Sequence, residues 1–390
     1  MSEQPRQAVD TLIEIARDPD TYIQRWKQRN TGKVIGLFPM NFPAELVAAS
    51  GALPVIIQDR QEPITVGNSL LTEFYCGYTR SIADQAGKGQ LSLYDGFLNA
   101  DHCIQLLGAV DIVREENPGK PVYFEHLIAA MDDAWSQGQV RGKIQSFVRE
   151  VERFTGATIS DEGLLRAFRA FNENRRLLRR IFDARRSGDA RFTPRQLQAF
   201  VQSSMVMDKD EHSALLRKLL AQNLGDTPRE DGRIKLHLSG HFCHAPKAEL
   251  FELFEECGAI IVDDDLYHGV RYISTDMDER KPPLQALADW YFDRNKKVPC
   301  PTRVQASVDW DRYLLDTMAA SGAEGVIVLM ARFCEAHMFH YPELRKALDA
   351  RGIPHLLIET EHEGMPVETI RTRVEAMIER IRRKQAATAA

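Results

Sequence analysis

Apolar residues along this chain fall into two alternating patterns, short unbroken runs and longer stretches of helical spacing. From Gly325 to Glu361 both are visible together. Val326-Ile327-Val328-Leu329-Met330 is an uninterrupted apolar run of the kind that a strand buried on both faces needs. Cys334 follows it, where a strand would give way to a loop. A helix is then predicted over Pro342 to Ala350, stopped by Gly352 with Pro354 beyond. Leu356-Leu357-Ile358 reads as the next strand. A thiol thus stands at the carboxyl end of a parallel strand, where open α/β sheets place their ligands.

The same grammar recurs earlier. Gly32 to Asp59 reads strand, loop, helix, strand, and so does Gly232 to Asp265. Glu45-Leu46 and Glu249-Leu250 open the two helices, and Gly51-Ala52 and Gly258-Ala259 close them. The repeat continues through Asp95 to Phe124 and Glu324 to Ile358, which gives Cys103 and Cys334 comparable places. The fold class expected is α/β, with two flavodoxin/Rossmann-like parallel-sheet domains joined by a helical connector. Their expected bounds are a helical lead-in at 1–31, a first α/β domain at 32–137, the connector at 138–225 and a second α/β domain at 226–390. In the connector, Leu164, Phe168, Phe171, Leu178 and Phe182 keep helical spacing. Ser160 and Thr193-Pro194 are helix starts, and a third helix is expected over Glu211 to Asn223. Its arginines at 175, 176, 179, 180, 185 and 186 read as a solvated face.

Charge narrows the picture. Fifty basic against 56 acidic residues give −6, which argues against general affinity for nucleic acid or anionic membrane. The amino-terminal residues lack a basic segment followed by an apolar one, and no run approaches the roughly 18 apolar residues of a membrane span. A cytoplasmic location is expected. Six cysteines, at 76, 103, 243, 257, 300 and 334, are scattered and form no CxxC. A disulfide framework is not expected in that compartment.

There is no GxxxxGK[ST], no GxGxxG after a strand and no GxSxG elbow. Cleft cysteines without any of these point to a metal or cluster. Cys76, at a loop or helix start before Gly77, joins Cys103 and Cys334 as a possible set of three thiolates. Three would leave one iron of a [4Fe–4S] cluster without protein sulfur. Zinc held by three cysteines with His102 or His337 is the competing arithmetic. Cys243, between His241 and His244, lies in a strand-end loop equivalent to Pro39–Asn41 and faces the expected cleft. Asp263-Asp264-Asp265 reads as a solvated strand end or a Mg²⁺ site. Cys257 reads as core and Cys300, before Pro301, as structural.

Several blocks in order, PAELVAASGALPV, YCGYTRS, DHC, ELFEECGAIIVDDDLYHGVRY, CPTR and VLMARFC followed by YPELRKALDARGIPHLLIETE, resemble the 2-hydroxyacyl-CoA dehydratase / benzoyl-CoA reductase family from about residue 32 onward. The DGFLNADHCIQLLG block is most similar to the smaller cluster-binding subunit of ATP-dependent benzoyl-CoA reductase. The resemblance implies that Cys76, Cys103 and Cys334 hold a [4Fe–4S] cluster. It also implies a homologous cluster-binding subunit as partner, and separate ATP-hydrolysing electron-activating subunits fed by ferredoxin. The reaction implied is reduction of an aromatic acyl-CoA ring to a cyclic diene. A 2-hydroxyacyl-CoA dehydratase subunit, or a non-catalytic partner of a catalytic sister, are the other readings. Glu45, in the proline-then-glutamate block, and His102, beside Cys103, are the candidate proton donors. Glu335-Ala336 departs from the acid-proline pair that often follows the family's last cysteine.

Overall fold

The computed structural model describes residues 3–189, 191–221 and 232–389. Two four-stranded, all-parallel sheets carry helices around them, the arrangement expected of two flavodoxin/Rossmann-like domains. The first sheet contains β1 (Val34–Leu37), β2 (Leu53–Ile56), β3 (Gly96–Ala100) and β4 (Val122–Glu125). The second contains β5 (Ile234–Gly240), β6 (Ala259–Asp264), β7 (Gly325–Ala331) and β8 (His355–Thr360). Strand orders are β2-β1-β3-β4 and β6-β5-β7-β8, one plan used twice. In each sheet the order reverses between the two central strands, and that is where such sheets open a crevice.

Local chemistry explains the elements. All seven residues of β7 are buried, as its unbroken apolar run requires. The first helix of each repeat ends at a glycine in the left-handed region, Gly51 at φ 81° and Gly258 at φ 83°. Ser160 caps the helix Asp161–Arg186 by accepting from Gly163 N–H at 3.1 Å. Thr193 and Gln196 form a reciprocal capping box on the helix Pro194–Ser204. Register also relates the halves. Ile35 lies opposite Gly96, and Leu236 opposite Gly325. Counting five residues on from each gives Met40 and His241, which both take positive φ, 87° and 43°.

The lead-in forms the helices Glu3–Arg17 and Pro19–Arg29, which bury Leu12, Ile23 and Trp26. Between the sheets run the helices Ser136–Thr155, Asp161–Arg186, Pro194–Ser204 and Lys209–Leu220. The expected junction at 225/226, and Asn223 at the expected end of the last of these helices, lie outside the described residues. The helix Pro283–Lys297, although late in sequence, packs Ala286, Leu287 and Tyr291 into the same core as the first sheet. The second sheet has its own apolar layers, one on each face. The two halves are thereby interlocked rather than strung on a linker.

Three expectations are corrected. The helix after β7 starts at Glu335, not Pro342, and runs to Ala350 with Pro342 inside it. A proline removes one backbone donor from a helix interior. Here His337, Leu344 and Leu348 are buried along one face and hold both halves in line. The connector arginines are a solvated face only in part: Arg176 and Arg180 are exposed, but Arg175 and Arg185 are buried and Arg179 and Arg186 half-buried. Arg175 is 2.8 Å from Glu45, Arg185 is 2.8 Å from Asp264, and Arg186 is 2.8 Å from Asp263. Correspondingly, Asp263, Asp264 and Asp265 are buried anchors for these arginines and for Arg271, not a solvated strand end.

Candidate functional site

Cys103 is the third residue beyond β3, which ends at Ala100, and Cys334 is the third beyond β7, which ends at Ala331. Each thiol meets the start of a helix. Cys334 is the N-cap of the helix Glu335–Ala350 and Cys76 that of Gly77–Gly87, while Cys103 lies two residues before Gln105–Glu116. Unpaired N–H groups and the helix dipole make such positions favourable to thiolates and other anions. All three cysteines line one cavity of about 380 Å³, together with His102, His241, Cys243, His244 and His337. The cavity therefore lies at the carboxyl ends of the central strands of both sheets. All six cysteines are free thiols.

Gln105 ties these segments together. Its Oε1 accepts from Cys76 N–H at 2.7 Å, and its Nε2 donates to Phe333 O at 2.6 Å. One buried amide thus spans the loops of Cys76, Cys103 and Cys334. Phe333, just before Cys334, takes φ 63°, a conformation rare for an aromatic residue. The strained turn aims Cys334 at the helix start.

Electrostatics sort the thiols into two kinds. Burial, and then the neighbouring Cys76, push Cys103 up to about 12, and burial and Cys76 raise Cys334 further. Burial also raises Cys243 well above its ordinary range. Cys76 goes the other way. Burial opposes its charge, but His244 more than offsets this and lowers it. His244 in turn is raised to about 9 despite burial, because Asp59, at 3.7 Å, and Cys76 favour its cation. Cys300 is lowered to about 5 in spite of burial, because of His102, whose Nδ1 is 3.9 Å from the sulfur; Thr302 Oγ1 is 3.0 Å away.

Of the five residues expected as cluster ligands or proton donors, Cys76, His102, Cys103 and Cys334 converge on this cavity, and so do Cys243 and His337. Glu45 does not. It lines a separate, smaller cavity with Met40, Phe42 and Arg294, and its buried side chain is held by Arg175 at 2.8 Å. Among the described residues, no three His, Cys, Asp or Glu side chains are gathered closely enough to hold a metal ion. The thiols stand around a space rather than a point. Sequence reasoning missed Gln105 and the Cys300–His102 pair, because each depends on partners far apart in the chain. Exposed apolar side chains mark the cavity's mouth: Phe339 is 83% exposed and Ile104 67%, and both line it.

Two parallel α/β domains that turn strand ends, helix starts and free thiols onto one cavity define a two-domain protein with a shared sulfur-rich cleft. The chain belongs to the 2-hydroxyglutaryl-CoA dehydratase, D-component family, whose profile matches residues 39–381. It is 24% identical to the (R)-phenyllactyl-CoA dehydratase beta subunit of Clostridium sporogenes, over 94% of this chain and 96% of that one. It is 22% identical to a benzoyl-CoA reductase subunit of Thauera aromatica, over 90% and 92%. It is 26% identical to the beta subunit of (R)-2-hydroxyglutaryl-CoA dehydratase from Acidaminococcus fermentans, over 95% and 99%. These relatives are subunits of dehydratases and reductases acting on CoA thioesters. Among the described residues no helix is long and apolar enough to cross a membrane.

Proposed function

We propose that this chain is the iron–sulfur subunit of a cytoplasmic, ATP-dependent reductase of an aromatic acyl-CoA such as benzoyl-CoA. The observation that supports it most is the convergence of Cys76, Cys103 and Cys334, each at or near a helix start, on one cavity of about 380 Å³. A [4Fe–4S] cluster fits this donor set. Thiolates are the ligands it takes, the space between them exceeds one ion, and helix starts favour its negative charge. Bound there with one iron free of protein sulfur, it would supply electrons of low potential.

The chain's own residues would do the rest. Cys76, whose thiol His244 lowers against the opposing effect of burial, is the one of the three most easily ionised to a metal-binding thiolate. The buried walls at Phe242 and Ala331 exclude water, which strengthens every electrostatic interaction inside. His102, on the cavity wall, is the proposed proton donor. Glu45 is proposed as a relay from its separate cavity, where it pairs with Arg175 at 2.8 Å. A homologous cluster-binding subunit would cover the mouth at Phe339 and Ile104. Separate ATP-hydrolysing subunits, fed by ferredoxin, would deliver the electron, in keeping with a chain that has no phosphate-binding loop of its own.

The second reading is a 2-hydroxyacyl-CoA dehydratase subunit, favoured by two relatives of that activity at comparable identity. Anaerobic reconstitution with ferrous iron and sulfide should give a brown protein, and Cys103→Ala should lose both colour and iron. A colourless, air-stable, iron-free chain defeats both readings. With partners restored, ring reduction with stoichiometric ATP use identifies the reductase. Loss of water with only catalytic ATP identifies the dehydratase.

A further inference from the structure

His337 is fully buried, lines the thiol cavity, and has no hydrogen-bond partner at either ring nitrogen. It lies three residues after Cys334, the non-helical N-cap of the helix Glu335–Ala350, and both residues line the same cavity. Its ring is packed between Phe242, at 5.0 Å between centroids, and Trp310, at 5.4 Å. An aromatic slot of this kind suits phenylalanine better than imidazole, because a buried polar atom without a partner costs stability. The backbone is nevertheless shaped to admit this ring. A Cβ at Gly240 would lie 2.7 Å from His337 Cε1 and closer still to Leu329 O, so the glycine that the φ of 106° at the end of β5 calls for also leaves room for this ring. An imidazole always carries at least one N–H, and among the described residues this one finds no acceptor, which leaves the contents of the cavity it lines.

We propose that His337 donates a ring N–H to the sulfur ligands around Cys334 and thereby raises the reduction potential of the group that the three thiols hold. The inference rests on the cluster reading above and assigns the residue that tunes it. A hydrogen bond to sulfur stabilises the electron-rich, reduced form, and such bonds are among the protein's means of setting cluster potentials. His337 is a positioning and tuning residue here, not a ligand. His241, which lines the same cavity, serves as an internal contrast: its Nδ1 has no partner among the described residues, but its one obligatory N–H can sit on Nε2, which is engaged by Thr360 Oγ1 at 2.6 Å.

The experiment compares wild type, His337→Gln and His337→Phe, each as the full chain reconstituted anaerobically with ferrous iron and sulfide. Iron and sulfide content, thermal stability before loading, and a redox titration followed by electron paramagnetic resonance are the readouts. At the potential where wild type is half reduced, H337F should show about a tenfold lower ratio of reduced to oxidised cluster, equivalent to about 59 mV for one electron. H337Q, which keeps a donor, should fall between the two. H337F should be at least as stable as wild type before loading. An iron-loaded H337F with the wild-type ratio overturns the hydrogen bond and leaves the cluster reading standing. A wild type that takes up no iron overturns the cluster reading itself, and this inference with it. An unloaded H337F that is less stable than wild type assigns the ring to packing and overturns the proposal. If H337F does not load, ¹⁵N-imidazole-labelled wild type decides: a nitrogen coupling to the reduced cluster that H337Q lacks supports the bond, and its absence in wild type overturns it.

Discussion

Replacing Gln105 by leucine isolates the side chain that holds the cavity's three walls in register. Gln105 is buried, and leucine keeps most of its volume while removing the amide. Two backbone groups then lose their partners, the buried Cys76 N–H at 2.7 Å and the part-buried Phe333 O at 2.6 Å; the bond to Phe74 O, at 3.4 Å, is too long to add much. Orphaning a buried polar group costs about 1–3 kcal/mol and a part-buried one about 1 kcal/mol, so the substitution should destabilise the site by about 2–4 kcal/mol. Local opening around Cys76 and Cys334 becomes easier by that amount. At about 1.4 kcal/mol per tenfold, 2 kcal/mol corresponds to roughly a 30-fold rise in the open population. Alkylation of the metal-free protein by N-ethylmaleimide, read by peptide mass spectrometry, should therefore accelerate by about 30-fold at Cys76 and Cys334. Cys257, at the far end of the helix Ala248–Glu256, should be unaffected and serves as the control. Gln105→Glu should give an intermediate result, because its carboxylate still accepts from Cys76 N–H but faces Phe333 O without a proton. Unchanged alkylation at both cysteines, with an unchanged melting temperature, would refute the idea that Gln105 couples the two halves.

The buried Glu45–Arg175 pair makes a second test, since removing Glu45 leaves the buried guanidinium with only Asn172 Oδ1 at 2.8 Å and the more distant Asp276 at 3.7 Å. Glu45→Leu should cost about 3–5 kcal/mol in urea unfolding, and Glu45→Leu with Arg175→Met should recover most of it; a double variant as unstable as the single one would contradict the pairing. His212 predicts a pH dependence. Burial, aided by Lys209, holds it well below its ordinary 6.5, and Asn174 and Ser203 bond its neutral ring at 2.8 and 3.1 Å. The unfolded chain binds that proton below about pH 6.5 and the folded one does not, so stability should fall as pH drops through that value. The slope is about 1.4 kcal/mol per pH unit for this residue, and urea midpoints of His212→Gln should lack that share of it. Gly240→Ala should cost about 4 kcal/mol or more, because φ is 106° and the new Cβ would lie 2.1 Å from Leu329 O. Gly138→Ala, in the helix Ser136–Thr155 with nothing within 4 Å, should instead add about 0.5–1 kcal/mol, and calorimetry of the two variants checks the contrast.

What could be read from the chain alone was what neighbours in sequence decide. The run Val326–Met330 fixes a buried strand, Gly51 and Gly258 end helices, and Ser160 and Thr193 start them, all within a few residues. The repeat then carried Cys103 and Cys334 to matching strand ends. Interactions across long separations were silent: Arg185 meets Asp264 over 79 residues, and Cys300 meets His102 over 198. An arginine-rich helix looks solvated until its acidic partners are placed, and a cysteine before proline looks structural until a histidine is put beside it. Pro342 misled for the opposite reason, since a strong local signal was overridden by the burial of His337, Leu344 and Leu348.

The two halves share a plan but divide its use, and buried arginines account for the division. Met40 and His241 occupy equivalent strand-end positions with the same unusual sign of φ. By symmetry both loops belong on one cleft. In the second half that is so, and His241, Cys243 and His244 all line the thiol cavity. In the first half Arg294 donates to Met40 O and, at 2.5 Å, to Asn41 Oδ1, while Arg175 holds Glu45. Those two cations, both from helices outside the repeat, turn the first loop into a separate cavity. The first domain therefore reaches the thiol cavity through β3's loop and Cys76 rather than through β1's. Removing the cation that turns the loop, by Arg294→Met, should let Met40 relax from its strained backbone and raise the exposure of Glu45 in hydrogen exchange and carboxyl-labelling experiments. A loop that stays in place without Arg294 would mean that the asymmetry is set by Pro39 and Pro43 and not by charge.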